Sequence, residues 1–304
     1  MLRRDWDKLP LTIEHKTVTR MASASGRTTA IVHLEGGGEH GYGEEVTFQA
    51  DDLLPASPHE PWEFAGSFRE FSPSLASRGM FEREPQYEVV RHYRHWAFEA
   101  AALDLALRQA GVRFDELVGR TPEPVQFVVS PAPGFSEFPS DARLKIDAVD
   151  LRPGLPVDVV DFKESGDQAA VESALALYPD ALLEDPPVVV PGARVSWDIR
   201  ITSAEKVRRL PARPSAINVK PARLGSVAAL FDLYELCAAE GIVLYGGGQH
   251  ELGPGREQIQ LLASLFHPRG PNDVAPAGYN EPNPADGLPT SPLKLTPRIG
   301  FRTS

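Results

Sequence analysis

A barrel of parallel β-strands and α-helices behind an N-terminal α+β unit is the fold class the sequence predicts, on three observations. Residues 10 to 50 alternate apolar and polar positions in the manner of strands. A long run dense in Ala and Leu, "EVVRHYRHWAFEAAALDLALRQAG", then reads as one helix stopped by Gly111. After it, short runs rich in Val, Ile and Leu recur with helical patterns between several of them, which is the rhythm of a parallel sheet rather than a sandwich.

In the first unit, "LTIEHKTVTR", "RTTAIVHLEG" and "GYGEEVTFQA" are separated by "ASASG" and "GGGEHG", which predicts three antiparallel strands joined by turns. Residues 51 to 80, rich in Pro, Ser and Phe without a period, read as loop with short helical pieces. The later strand candidates are "VQFVVS", "ARLKIDAV", "VDVVDFK", "DALLEDP", "ARVSWDI", "SAINVKP", "GIVLYGGG" and, most weakly, "NDVAPAG". Helical patterns follow in "DQAAVESALALYP", "SAEKVRRL", "SVAALFDLYELCAAEG" and "REQIQLLASLF". The first two connections, "PAPGFSEFPSD" and "DLRPGLP", are too short for ordinary crossovers, so the early barrel is expected to be irregular. The resulting division is residues 1–120 as the α+β unit, 121–280 as the barrel, and 281–304 as a Pro-rich tail lying on the surface or packing back on the first unit.

Composition removes several function classes. With 31 basic against 42 acidic side chains the formal charge is −11, which disfavours nucleic acid as a partner because phosphate neutralisation needs clustered Lys and Arg. A single cysteine, Cys237, excludes an internal disulfide framework and any cysteine zinc site, and its place in "LYELCAAEG" reads as a plain buried thiol. The N-terminus has two arginines but no apolar segment after them, and no apolar stretch approaches the roughly 20 residues of a membrane span. The expectation is a soluble, cytoplasmic protein. His92 and His95 are spaced i and i+3 on a helix but lack a third nearby ligand, so they read as surface residues rather than a metal pair.

Side chains that act on a substrate gather at the C-terminal ends of parallel barrel strands, and here those ends carry charge. They offer Lys145 and Asp147, Asp161 and Lys163, Glu184 and Asp185, Asp198, and Asn218 with Lys220. Residues two apart on a strand share a face, so Asp161 and Lys163 are expected to project together, as are Lys145 and Asp147. Asp161, Glu184 and Asp198, on consecutive strands, would form an oxygen-only centre suited to a hard cation such as Mg²⁺. Lysines beside such a cation would have depressed pKa values and could act as bases near neutral pH. Each charge alone also reads as a solvated rim residue or half of an ion pair; the repetition over five successive strands is what favours a site.

Several stretches, "EGGGEHGYGEE", "AFEAAALDLALRQAGVRFDELVGR", "LLEDPP", and above all "INVKPARLG" followed by "GGGQHELGPGR", resemble the enolase superfamily. The likeness is to its muconate-lactonizing branch, which includes dipeptide epimerases and o-succinylbenzoate synthases. The resemblance implies an α/β fold, a modified (β/α)₇β TIM-like barrel with an N-terminal α+β capping domain. It also implies a Mg²⁺-dependent isomerase or lyase, with Mn²⁺ as the alternative ion. Such an enzyme abstracts a proton α to a carboxylate of a small acid and stabilises the enolate on the metal, in the racemase, epimerase, cycloisomerase or syn-dehydratase range. By this resemblance Asp161, Glu184 and Asp198 hold the metal, and a second-strand Lys-x-Lys and a sixth-strand lysine flank the substrate; Lys220 matches the sixth-strand lysine. The substrate pocket is expected to include Lys145, Asn218, Gly247, Gln249, His250 and Glu251. The "EGGGEHG" turn and the 51–80 region would close over it, and paired or higher assemblies are common among such proteins.

The sequence departs from that pattern in places. The second-strand motif reads Lys145-Ile146-Asp147, with an acid at its second lysine. Lys163 stands where an asparagine is usual, Ile199 follows Asp198 in place of a glutamate, and Gln249 replaces a common methionine beside His250. One reading makes Lys163 the relocated base, facing Lys220; the other makes it a salt-bridge partner of Asp147 or Glu184. His250 reads either as a titratable group or as a hydrogen-bonded wall residue. Two rival functions stay open: a barrel that kept the fold as a binding or assembly protein, and a hydrolase or aldolase that uses the metal without enolate chemistry.

Overall fold

A computed structural model of the chain describes residues 2–23, 26–47, 53, 62–131, 138, 141–281 and 284–303. The N-terminal alternation becomes a three-stranded antiparallel sheet of β2 (His15–Ala22), β3 (Thr28–Gly36) and β4 (Glu39–Glu45), ordered as in sequence. A two-residue turn joins β3 to β4. Gly37 and Gly38 both have positive φ there, which the tight turns matching the twist of a hairpin require. The stretch before β2 forms a separate short strand, β1 (Pro10–Ile13), which pairs antiparallel with β5 (Phe64–Ser67). Of the expected loop at 51–80, residues 51, 52 and 54–61 lie outside the described residues. The remainder supplies β5 and α1 (Phe68–Ser74), so the strand at its centre is a departure from expectation: four residues carry too little pattern to show until a partner strand is present.

The Ala-rich run forms α2 (Val89–Ala110) and ends on Gly111 at φ +67. It lies against β4, and the sequence of that strand explains how: a Cβ on Gly41 or Gly43 would come within 2.2 Å of the Ala101 carbonyl oxygen or 2.0 Å of that of Ala97. The glycines of "GYGEE" therefore permit the helix to approach the strand backbone. A short helix, α3 (Phe114–Val118), closes this unit.

The second half is a parallel sheet of six strands in sequence order: β6 (Leu144–Asp147), β7 (Val157–Asp161), β8 (Leu182–Glu184), β9 (Arg194–Trp197), β10 (Ala216–Val219) and β11 (Val243–Gly246). Two further segments close the ring through parallel bridges. Val129 pairs with Leu144, Phe127 with Asn272, and Asp273 with Gly247. "VQFVVS" and "NDVAPAG" thus fill the first and eighth positions of a barrel, the prolines around each keeping them short. Its helices are α4 (Gln168–Leu177), the single turns α5 (Ala204–Val207) and α6 (Pro221–Leu224), α7 (Val227–Glu240) and α8 (Pro254–Phe266). Side chains of Asp167, Ser203 and Ser226 accept backbone N–H groups to cap α4, α5 and α7. Between β6 and β7 there is one 3₁₀ turn, Ala148–Asp150, and no α-helix, as the short connection predicted. Val159, Leu182, Ala216 and Tyr245 pack together inside the ring.

The tail runs back across both units. Leu293 pairs antiparallel with Val125 of the barrel. At the capping domain, fully buried Asp104 of α2 accepts the backbone N–H of Tyr42 at 3.0 Å and of Phe301 at 2.8 Å, and takes the Arg302 guanidinium at 2.5 Å. One carboxylate therefore ties β4, α2 and the C-terminus together. No helix among the described residues is long and apolar enough to cross a membrane.

Candidate active site at the mouth of the barrel

Parallel strands that end on charged residues bring those charges together where the ring opens. Asp161 is the last residue of β7 and Glu184 of β8; Asp198 and Lys220 each stand one residue beyond β9 and β10. Lys145 of β6 points into the same space with its side chain only 7% exposed, touching Glu184 and lying 3.4 Å from Asp161 Oδ2 and 3.6 Å from Asp273 Oδ2. Across the ring, Asp198 receives Lys220 Nζ on one oxygen and Arg223 Nη1 on the other, both at 2.6 Å. Ser130, at the end of the first barrel segment, donates to Asp273 at 2.8 Å.

Glu184 is held by buried neighbours from two other strands. Asn218 Nδ2 donates to its Oε2 at 3.0 Å, and the Tyr245 hydroxyl donates to the same oxygen while contacting Ser196 Oγ at 2.9 Å. Asp185 turns through φ +45 so that its two oxygens accept the N–H groups of Asp198 and Ile199, each at 2.9 Å, which fixes the end of β9. All four non-glycine residues with positive φ among the described residues, Lys163, Glu164, Asp185 and His250, lie at this mouth. Backbone strain of this kind costs about 1–3 kcal/mol per residue and persists where surrounding contacts over-determine it.

The electrostatics follow from burial. Desolvation raises Glu184 to about 8, with Lys145 pulling down and Asp161 and Asp198 pushing up. Desolvation likewise lifts Asp185 to about 6, helped by Asp198. Burial works against ionised Asp198, but Lys220 and Arg223 outweigh it and hold the acid below its usual range. Asp273 is lowered too, its desolvation overcome by Lys145 and Lys220. Desolvation opposes a charged Lys145, yet Glu184, Asp161 and Asp273 together raise it well above an ordinary lysine.

Those partners test the fit of a cation. Oxygens of Asp161, Glu184 and Asp185 lie within 4.8 Å of one another, all three residues buried. The cluster holds five carboxylates, Asp161, Glu184, Asp185, Asp198 and Asp273, against three cations, Lys145, Lys220 and Arg223. With all five acids ionised, the form a bound cation favours over the raised Glu184 and Asp185, the deficit of two charges in an oxygen-only donor set fits one hard divalent ion. The grouping differs from the expected trio in one member: Asp198 is turned onto Lys220 and Arg223, and Asp185 stands beside Asp161 and Glu184.

The second-strand and third-strand lysines lie in different surroundings. Lys163, which the sequence pairs with Asp161 on one strand face, has left the strand at φ +51. Its side chain is 53% exposed, and its ammonium pairs with Asp147 Oδ2 at 2.5 Å on the rim. Lys145, expected in the substrate pocket, lines the cavity and is the lysine against the carboxylates. Above the cluster lies a cavity of about 730 Å³. Lys145, Asp161, Asp198, Lys220, Gln249 and His250 line it from the barrel, and Ser23, Arg27, Val89 and Tyr93 from the capping domain. The expected "EGGGEHG" lid does not line it: that turn is held away by Gln109, which donates to the Gly36 and Thr12 carbonyls. Gly247 packs on Asn218, where a Cβ would meet Oδ1 at 2.2 Å, and Glu251 accepts the Gln249 N–H at 2.9 Å; both support the pocket from behind. Desolvation drives His250 down to about 4 against Asp273, so its ring is a neutral part of the wall. Asp273, Ser130, Arg223 and Tyr245 were not singled out from sequence; Asp273 is the second residue of the weakest strand pattern, and a charge in that eighth segment was the available signal.

The chain matches two family models in order: the N-terminal domain of DUF8230, a domain of unknown function, over residues 5–117, and the C-terminal domain of DUF8230 over residues 140–281. No curated protein matches it. Solved structures with the same fold include a dipeptide epimerase from Enterococcus faecalis V583, at 15% identity and TM-score 0.63, covering 96% of this chain and 99% of that one. Muconate cycloisomerase from Pseudomonas fluorescens aligns at 16% identity and TM-score 0.62 over 87% of each chain. Muconate lactonizing enzyme from Pseudomonas putida aligns at 19% identity and TM-score 0.60 over 84% of each. These likenesses establish the fold, a capped TIM-like barrel of the enolase-superfamily type.

Proposed function

We propose that this chain, which belongs to the DUF8230 family and has the enolase-superfamily fold, is a metal-dependent enzyme that removes a proton α to the carboxylate of a small acid. The observation that carries the reading is the placement of two buried lysines. Lys145 comes from the second of eight ring positions and Lys220 from the sixth, so they face each other across one cavity with the carboxylate cluster between them. A substrate held between two amines can lose its α-proton to one of them, and the planar enolate left behind can take a proton on its opposite face from the other, which suits the racemase and epimerase end of the family's range. Lys145, not Lys163, takes the base role on the second-strand side, because only Lys145 reaches the cluster.

Mg²⁺ held by Asp161, Glu184 and Asp185 or Asp198 would act as a Lewis acid on the substrate carboxylate and make Lys145 easier to deprotonate. The chain's own groups do the remaining tasks. Tyr245 and Asn218 fix Glu184, Arg223 and Asp198 aim Lys220, and Tyr93 with Arg27 closes the cavity from the capping side. The substrate's second half faces that capping wall, which sets which small acid is accepted.

The test is solvent-deuterium incorporation at the α-carbon of chiral 2-substituted acids and dipeptides, with Mg²⁺ present. Lys145→Ala should abolish exchange from one enantiomer and Lys220→Ala from the other, each by at least the roughly 10²–10⁴-fold worth of a positioned base. Full exchange in both variants sinks the assignment. One contact favours a second reading: the Lys145 ammonium already sits on Glu184, as in a barrel that binds ligands without metal chemistry. Wild-type protein that binds no Mg²⁺ would select that reading.

A further inference from the structure

A second cluster of ligating side chains lies far from the barrel mouth in character, on the open face of the capping sheet. Cross-strand register places His15, Glu35 and His40 in one row over β2, β3 and β4, and Thr17, His33 and Tyr42 in the next. Directly paired residues of adjacent strands share a face, and on β3 it is Val32 and Leu34 that point into the core. Three of the chain's eight histidines and one glutamate therefore crowd a single patch of sheet.

The geometry within the patch is ordered. His33 Nε2 lies 3.0 Å from His40 Nδ1, and His33 Nδ1 lies 3.5 Å from Glu35 Oε1. The ligand atoms of the three residues all fall within 4.8 Å of one another. Tyr42 stacks on the His33 ring at 4.5 Å between centroids and 4° between planes, which fixes its orientation. When the Nδ1 proton of His33 is directed at Glu35, the Nε2 lone pair faces His40; carboxylate-oriented imidazoles are the usual supports of metal-ligating histidines. Two nitrogens bound to one tetrahedral ion at about 2.0–2.1 Å would stand about 3.3 Å apart, a few tenths of an ångström more than here. Burial, joined by the charges of His40 and Arg302 and opposed by Glu35, holds His33 below its ordinary pKa. Arg302 itself is compensated by Asp104 and lies over Tyr42.

We propose that His33, His40 and Glu35, with His15 in register beside them, form a site for a divalent transition metal of the Zn²⁺, Ni²⁺ or Cu²⁺ class. Imidazole-rich ligation suits those ions, whereas the all-oxygen barrel cluster suits Mg²⁺. One chain would thus sort two kinds of metal between its two domains. The site bridges neighbouring strands, so an ion held there clips the sheet that carries Arg27 toward the cavity.

Zinc binding by equilibrium dialysis of the full chain, with saturating Mg²⁺ present, tests this. His40 is exposed, so His40→Ala spares the fold. The expected result is one zinc per chain in the wild type and in Glu184→Gln, and binding at least tenfold weaker in His40→Ala. No zinc in the wild type, equal affinity in His40→Ala, or loss of zinc in Glu184→Gln overturns the site.

Discussion

Replacing Lys145 by methionine keeps the length of the side chain and removes its charge from the centre of the carboxylate cluster. In the metal-free protein, Lys145 touches Glu184 and approaches Asp161 at 3.4 Å and Asp273 at 3.6 Å, with its side chain 7% exposed. Removing one partner of such a buried pair costs roughly 3–5 kcal/mol, part of it recovered as carboxylates take up protons. Near 2 °C per kcal/mol for a chain of this size, the metal-free melting temperature should fall by about 6–10 °C. The same change widens the local charge deficit from two to three, so a dication offsets more in the variant than in the wild type. A ligand at one hundred times its Kd stabilises by about 2.7 kcal/mol, and the variant should reach that gain at a lower Mg²⁺ concentration. Thermal melts in EDTA and across a Mg²⁺ titration read both effects. A variant as stable as the wild type in EDTA, or one that Mg²⁺ stabilises less than the wild type, would refute the picture of an ammonium and a metal sharing these carboxylates.

Two further outcomes follow from groups away from the cluster. Asp104→Ala leaves two backbone N–H groups and Arg302 without their acceptor, so it should lower stability by about 3–5 kcal/mol and release the C-terminal residues to proteolysis; unchanged melting and cleavage would show that the tail anchors elsewhere. His267 is buried with Nδ1 against Asn272 Oδ1 at 2.8 Å, and desolvation lowers it to about 4. A base whose folded pKa lies below its unfolded value stabilises fully above the unfolded value, near 6.5, and loses that contribution as pH falls toward 4. Between pH 7 and 4.5 the loss is about 2 kcal/mol, and His267→Asn should flatten that part of the stability curve; an equal acid slope in the two proteins would remove His267 as its source.

Much of the fold could be read because its signals are periodic and local. The long helix and its stop at Gly111, the three-stranded sheet and the missing helix between β6 and β7 all follow from spacing and breakers. The weak end strands were legible as candidates, but only pairing shows that Phe127 and Asn272 close the ring. Strand β5 was not legible, since four residues acquire a pattern only against β1. In the site, Asp161, Glu184 and Lys220 were found from their places at strand ends. Asp185 was read there too as a strand-end charge, but its turn at φ +45, which carries the end of β9, was not, because an Asp-Pro pair in sequence does not announce that backbone conformation.

The exchange of charge between Asp147 and Lys163 marks the boundary of what a two-residue period can decide. That period held for Lys145, which sits one step inside the strand end and faces the ring. Asp147, the final residue of β6, and Lys163, beyond the end of β7 at positive φ, line the same cavity but farther out, where they meet each other rather than the carboxylate cluster. The two form a neutral pair on the rim, so they add nothing to the inner imbalance of five acids against three bases. A relocated base would have removed a cation from the rim and placed it in the centre, leaving Asp147 unpaired and the deficit too small for a divalent ion. With Lys145 inside and Lys163 outside, the inner charge count and the opposed lysines agree on the same chemistry, and the substitution that looked like a broken motif becomes a closed salt bridge at its edge.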